Sequence, residues 1–484
     1  MAKVGITKFT DDKWVSVSAT YDFYRRALSS SFDLIEISQN DLVSVSHELD
    51  AIVNFRGSRA YLERERIACP VLYGMHGGLV VDHKFVSENI SKLRTGDTLL
   101  VNCTSDIEIV HSLTGDQSPR TVFLPLPVET ASEIDNLKFE CRRVLGIEST
   151  DLVLGFVARL LPAKNLHGFL RILAQVQKIL SPKRVRALIV GNYWLDYPIL
   201  AYCTSDYPRY IKQLIDELDI GESLIYFPAS LTRDELRTVY GAMDLLVHPT
   251  YGIDENFGYV AVEAMGQGVP VVAAAYGGLK DTIRSGVTGH LMATWATSGG
   301  IRMDVAEGVA RIVELLRRPS QRNDMAQSAW LHAAHSYSEP TCTQILVAAI
   351  KDAISGRQGC FPVRSHSRAE PSPLYPRSSS LPPIKNGWLD FDQPVSHYVS
   401  TQMPQLRNGD ILTPAGPIYW QKELAHLDEP AWPISEAMDY QARAFLDDLA
   451  HQSCEVRGGD WPLLEIAQSL VSRGWLSVHR NEES

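Results

Sequence analysis

The stretch from Thr250 to Gly278, TYGIDENFGYVAVEAMGQGVPVVAAAYGG, narrows the folds open to this chain more than any other. A polar loop, Tyr251-Gly252-Ile253-Asp254-Glu255-Asn256, runs into a short apolar helix expected from Tyr259 to Met265. Gly266 and Gly268 break that helix, and the run from Val269 to Ala274 reads as a buried strand ended by Gly277-Gly278. Glu255 and Glu263 bracket the helix, separated by roughly 12 Å along its axis at 1.5 Å per residue. Between them lie the unpaired N–H groups and positive pole of the helix N-terminus, a natural phosphate site. The arrangement suits an elongated ligand with hydroxyls at each end and a diphosphate in the middle.

The rest of the chain supplies the sheets such a unit needs. Short apolar strands are expected near Val4–Ile6, Asp33–Ile37, Ala51–Phe55, Pro70–Tyr73, Thr98–Val101 and Thr121–Leu124, with helices between them. Strands of this kind are buried on both faces in a doubly wound parallel sheet, and ligands there sit beyond the strands' carboxyl ends. His76 falls at such a position, in Gly74-Met75-His76-Gly77-Gly78. A second series begins with the strand Leu152–Val157. It continues into Ala158-Arg159-Leu160-Leu161-Pro162-Ala163-Lys164-Asn165 and a helix expected from Leu166 to Leu180. Two cations on a loop between a strand end and a helix start can hold a diphosphate.

Glu255-x7-Glu263, with Ala264-Met265-x-x-Gly268-x-Pro270-Val271-Val272 and Gly277-Gly278 in the same register, resembles the donor-site motif of the retaining family 4 glycosyltransferases. Arg159-Leu160-x-x-x-Lys164 matches a second motif of that family residue for residue. The resemblance implies an α/β chain of GT-B architecture: two facing Rossmann-like doubly wound domains. It spans roughly residues 1–355 and is most specific from 152 to 292. In roles carried over from the family, Arg159 and Lys164 neutralise the departing nucleotide diphosphate. Backbone N–H groups near Gly258 and Tyr259 add to that grip. Glu263 accepts from the ribose hydroxyls, and Glu255, with Asn256 and Phe257 beside it, holds the sugar. His76 borders the reacting carbon. The donor is a UDP- or GDP-linked sugar, and no metal or other cofactor is expected. One departure stands out: Thr7–Lys13 has no glycine where relatives carry a Gly-Gly loop, so their acceptor preferences do not transfer. Two readings compete with transfer: a sugar-nucleotide epimerase or hydrolase, and a non-catalytic binding or scaffold protein.

Length and composition set the remaining bounds. With 484 residues, several domains are expected: 1–135 on the acceptor side, 136–355 on the donor side, a flexible linker 356–384 and an accessory module 385–484. The linker reads GRQGCFPVRSHSRAEPSPLYPRSSSLPPI, dominated by Ser, Pro and Arg. In the module, helices are expected over Pro433–Ala450 and Trp461–Arg473 and a strand over Trp475–Val478, a small winged-helix-like α+β unit. Its tryptophans supply either a compact core or an exposed aromatic contact. The module either packs on the catalytic domains or recruits a peptide or protein acceptor. Seven scattered cysteines without a C-x-x-C pair point to reduced thiols in a cytoplasm and against a zinc site. A net charge of −11 disfavours nucleic acid. Residues 1–150 carry 16 Lys and Arg against 21 Asp and Glu, with no membrane-spanning run. A soluble acceptor and no membrane insertion are therefore expected.

Overall fold

The computed structural model describes residues 1–10, 15–115, 118–196, 206–356, 392–449, 452–458 and 461–480. They form two compact units. The first comprises described residues of Met1–Thr130, Asp254–Val262 and His332–Pro371; the second, those of Ala131–Ile253, Glu263–Leu331 and Ser372–Ser484.

The first unit is built on six parallel strands: β1 (Lys3–Thr7), β2 (Asp33–Ile37), β3 (Ala51–Asn54), β4 (Val71–Gly74), β5 (Thr98–Val101) and β6 (Arg120–Phe123). They lie in the order β2-β1-β3-β4-β5-β6. β3 and β5 are buried along their whole length, as unbroken apolar runs in a doubly wound sheet should be. Helix Val15–Ser29 lays Phe23, Tyr24, Ala27 and Leu28 on this sheet. In the same cluster sits the helix Glu339–Ser355, whose Cys342, Leu346, Ala349, Ile350 and Ala353 form one apolar stripe at helical spacing. The expected division had left this segment in the 136–355 domain. The stripe has its partner on the first sheet, so the chain returns there after residue 332.

The second unit carries β7 (Leu152–Val157), β8 (Val185–Val190), β9 (Leu224–Phe227), β10 (Leu245–His248), β11 (Val271–Ala274) and β12 (Gly289–Met292). All are parallel, in the order β12-β11-β10-β7-β8-β9. The chain runs outward from β7 to β9, then restarts at β10 on the other side. That reversal is where open α/β sheets form a ligand crevice, so the loops after β7 and β10 are the ones it singles out. Both units are thus Rossmann-like, the arrangement of the GT-B architecture. A hairpin of β13 (Thr294–Thr297) and β14 (Gly300–Met303) follows.

The tail differs from expectation. It contains β15 (Ile411–Pro414), β16 (Ile418–Gln421), β17 (Leu424–Leu427), β18 (Ile434–Ala437), β19 (Cys454–Glu455) and β20 (Leu476–His479), in antiparallel sheets β19-β15-β20 and β16-β17-β18. Its helices are Asp392–Tyr398, Tyr440–Leu449 and Leu464–Ser472. The helix expected from Pro433 therefore starts as strand β18, and the winged-helix-like picture gives way to a strand-rich α+β unit. Ile418-Tyr419-Trp420-Gln421 alternates between half-buried and exposed positions, a period of two that short segments show weakly. Trp432 and Trp475 are fully buried, which settles those two as core. The tail joins the second unit: Arg302 Nε donates to the Gly474 carbonyl at 2.7 Å and His479 Nδ1 meets Asp304 at 3.0 Å. The expected linker lies outside the described residues, apart from Gly356.

Candidate active site

In the second unit the loop after β7 is shaped by close backbone approach. A Cβ on Gly191, after β8, would sit 1.9 Å from the Ala158 carbonyl oxygen, so only glycine lets the two strand ends pack there. Leu160 N–H donates to the Asn192 carbonyl at 2.9 Å, and the Arg159 guanidinium lies over the Trp194 ring at 5.0 Å. Pro162–Lys164 forms a short 3-10 turn that buries Lys164. Asn165 then adopts a left-handed conformation (φ 62°), and its side-chain oxygen caps helix Leu166–Leu180 by accepting from Gly168 N–H at 2.9 Å.

The same Asn165 donates through Nδ2 to the Pro249 carbonyl at 2.9 Å, and Tyr251 N–H donates to the Ala163 carbonyl at 3.2 Å. The loops after β7 and β10 are thereby tied together at the strand-order reversal. Glu263, half-buried on helix Tyr259–Gly266, accepts from the Tyr240 hydroxyl at 2.9 Å. Burial raises its carboxyl above the usual range, opposed by the Tyr240 hydrogen bond and the Arg233 charge.

In the first unit His76 sits just beyond β4. A Cβ on Gly74 would lie 2.5 Å from His76 Nε2, so a side chain there would displace the ring. The imidazole packs against Phe55 at 4.6 Å and edge-on to Tyr24 at 5.3 Å. Its Nδ1 lies 3.1 Å from Asn102 Oδ1, while Asn102 Nδ2 donates to the Leu124 carbonyl at 2.8 Å. That second bond identifies the amide oxygen as the group facing His76. Nδ1 therefore carries the proton, and Nε2, enclosed and without a hydrogen-bond partner among the described residues, presents a lone pair. Burial pulls the His76 pKa down to about 4, with Asn102 opposing and Arg56 assisting, so the ring is neutral at physiological pH. Asn256 Nδ2 donates to the Met75 carbonyl at 3.1 Å and approaches Asn102 Oδ1 at 3.5 Å, which brings His76 and Asn256 into one network. Glu255 is buried, Phe257 packs against Tyr259 and Tyr337, and Gly258 takes φ 84° just before the helix. The Tyr259 hydroxyl meets Thr20 Oγ1 at 2.8 Å.

Sequence reasoning missed Asn102, Asn165 as a bridge between loops, Tyr240 and Trp194. Asn102 alone carried a signal, as the first polar residue after the apolar strand β5. Part of the stretch Asn192–Pro208, whose sequence fits either a flap over the nucleotide or a surface insertion, lies outside the described residues. Among the described residues, no group of three or more His, Cys, Asp or Glu is placed to hold a metal ion, and no helix is long and apolar enough to cross a membrane.

Residues 138–332 match the family model described as Glycosyl transferases group 1. A D-inositol 3-phosphate glycosyltransferase of Mycobacterium marinum (strain ATCC BAA-535 / M) is 31% identical over 312 residues, 62% of this chain and 62% of the relative. One of Mycobacterium sp. (strain KMS) is 32% identical over 248 residues, 49% of this chain and 53% of the relative. The chain therefore spans between about half and two thirds of the length of these curated relatives. Among solved structures, Anabaena Alr3699/HepE in complex with UDP and glucose aligns over 72% of this chain and 100% of its own, at 19% identity with a TM-score of 0.54. Sucrose-phosphate synthase from Thermosynechococcus elongatus aligns over 74% of this chain and 100% of its own, at 14% identity with a TM-score of 0.57. At those identities the structures speak for the fold. This chain is thus similar, over residues 138–332, to the glycosyl transferases of group 1, on a fold of two Rossmann-like units.

Proposed function

We propose that this chain is a retaining glycosyltransferase that takes its sugar from a UDP- or GDP-linked donor. The observation that carries the reading is the pairing of two loops at the strand-order reversal of the second unit. One bears Arg159 and Lys164; the other leads from β10 into Glu255. Both are held by the Asn165–Pro249 and Tyr251–Ala163 hydrogen bonds. Fixed cations there stabilise charge building on the leaving diphosphate without having to reorganise, a large term in group-transfer catalysis. Glu263, oriented by Tyr240, accepts from the ribose hydroxyls, and Glu255 binds sugar hydroxyls. His76 stays neutral and accepts a hydrogen bond from a sugar hydroxyl at Nε2, the one ring nitrogen that Asn102 leaves free.

The acceptor in this reading is soluble. D-inositol 3-phosphate is the first compound to test, because the curated relatives are named for it. The decisive experiment is thermal unfolding of the full chain with UDP, GDP and their hexose derivatives. A ligand at 100 times its Kd adds about 2.7 kcal/mol of stability. No shift with any of them would overturn the donor assignment. With the donor known, NMR of the product anomer tests retention. Donor turnover to a changed or free sugar without acceptor would instead favour an epimerase or hydrolase.

A further inference from the structure

The turn between β17 and β18, Asp428–Pro433, carries a carboxylate that reaches both of these loops. Glu429 Oε1 lies 2.7 Å from His167 Nε2 and accepts from Ala431 N–H at 3.1 Å. His167 is fully buried and is the second residue of the helix that Asn165 caps, three positions after Lys164. Burial, and after it the Glu429 charge and a side-chain hydrogen bond with Glu429, push the pKa of the Tyr251 hydroxyl well up, and Tyr251 is the residue whose N–H bonds the Ala163 carbonyl. Around this point the contacts are specific. Asp428 Oδ2 accepts from Arg171 at 3.2 Å and from the Tyr210 hydroxyl at 2.9 Å. The Trp432 ring sits 6.4 Å from that of Tyr251 and against Gly300, where a Cβ would come within 2.6 Å. Arg302 donates to the Trp432 carbonyl at 3.3 Å.

A buried carboxylate is expensive to keep, and simple attachment of the tail would be served as well by apolar packing. Here it is spent on two residues that each adjoin a loop of the proposed diphosphate grip. We propose that Glu429 is a positioning residue of the donor site: it fixes the start of helix Leu166–Leu180 through His167 and the loop after β10 through Tyr251, so that the C-terminal module sets the geometry in which Arg159 and Lys164 meet the nucleotide. The inference rests on the nucleotide-binding role proposed for those loops.

The test is UDP binding by calorimetry to the full-length chain, with each variant's unfolding midpoint measured alongside. Glu429→Gln keeps the shape and removes the charge. It is expected to raise the Kd for UDP about 10-fold, which is about 1.4 kcal/mol. Leu470→Ala, in the module's own core, is expected to lower the midpoint at least as much while leaving the Kd within about 2-fold. Tyr251→Phe keeps the ring against Trp432 and loses only the hydroxyl. It is expected to weaken UDP by itself and to add little on top of Glu429→Gln, and it serves alone if that variant fails to fold. Lys164→Ala separates the two ideas. If it leaves UDP binding unchanged, the loop is not the diphosphate site. If it weakens UDP while Glu429→Gln and Tyr251→Phe do not, or if Kd simply follows stability across the set, the positioning role is wrong.

Discussion

Replacing Asn102 by Asp would convert the partner of His76 Nδ1 from a neutral acceptor into a charged one, at nearly constant volume. The native ring has its pKa near 4, so between pH 6.5 and 4 the unfolded chain binds a proton that the folded chain refuses. Stability from this group is therefore full above pH 6.5 and is lost as pH falls toward 4, at about 1.4 kcal/mol per unit. Activity should share that lower limit, because protonation at Nε2 turns the proposed acceptor into a donor. A carboxylate at hydrogen-bond distance raises a neighbouring cation's pKa by about 1–3 units. Starting from about 4, Asn102→Asp should thus move the acid limb of kcat/KM to roughly pH 5–7, with the plateau above it largely recovered. Asn102→Ala should lower the rate without moving the limb to higher pH. It leaves the Leu124 carbonyl unpaired and frees the ring to change tautomer, at a cost to stability of about 1–3 kcal/mol. The assay is initial donor consumption from pH 4 to 9, with His76 followed by NMR. An acid limb that stays in place in Asn102→Asp while NMR reports a raised His76 pKa would refute the role given to Nε2.

Lys164→Ala should reduce turnover by roughly 100-fold with the fold intact, as loss of one charge-stabilising donor typically does. Near-native turnover would remove this loop from the site, and loss of activity on chelation would contradict a metal-free reaction. Glu263→Ala should weaken free nucleotide by about 1.5–3 kcal/mol, whereas Glu255→Ala should mainly weaken the sugar nucleotide. Calorimetry with both ligands separates these, and equal losses would contradict the orientation. Ending the chain at Ser355 distinguishes the two roles expected of the tail. Recruitment of a peptide or protein acceptor predicts intact donor hydrolysis with a raised KM for acceptor. Packing of the tail through His167, Arg302 and Asp304 predicts lower donor turnover and exposure of Trp295, and the second outcome is expected.

Elements decided by local pattern were legible in the sequence. Thr98–Val101, Leu152–Val157 and helix Leu166–Leu180 lie at the expected bounds, because apolar runs and a 3.6-residue stripe reflect burial that neighbouring residues already imply. The motif spacing around Arg159, Lys164, Glu255 and Glu263 likewise marked the loops that the strand order later placed at the sheet's reversal. What the sequence did not determine depends on partners distant along the chain. Helix Glu339–Ser355 carries an apolar stripe that could face either sheet, and only packing against helix Val15–Ser29 assigns it to the first. Asn102 and Tyr240 look like ordinary polar residues until folding brings them to hydrogen-bond distance of His76 and Glu263, 26 and 23 positions away along the chain. Glu429 is the extreme case. A carboxylate in a turn would be solvated by default, and it becomes a buried anchor because tertiary structure places His167, 262 residues earlier, 2.7 Å away. Contacts of that range leave no periodicity in the sequence, so only the folded chain decides them.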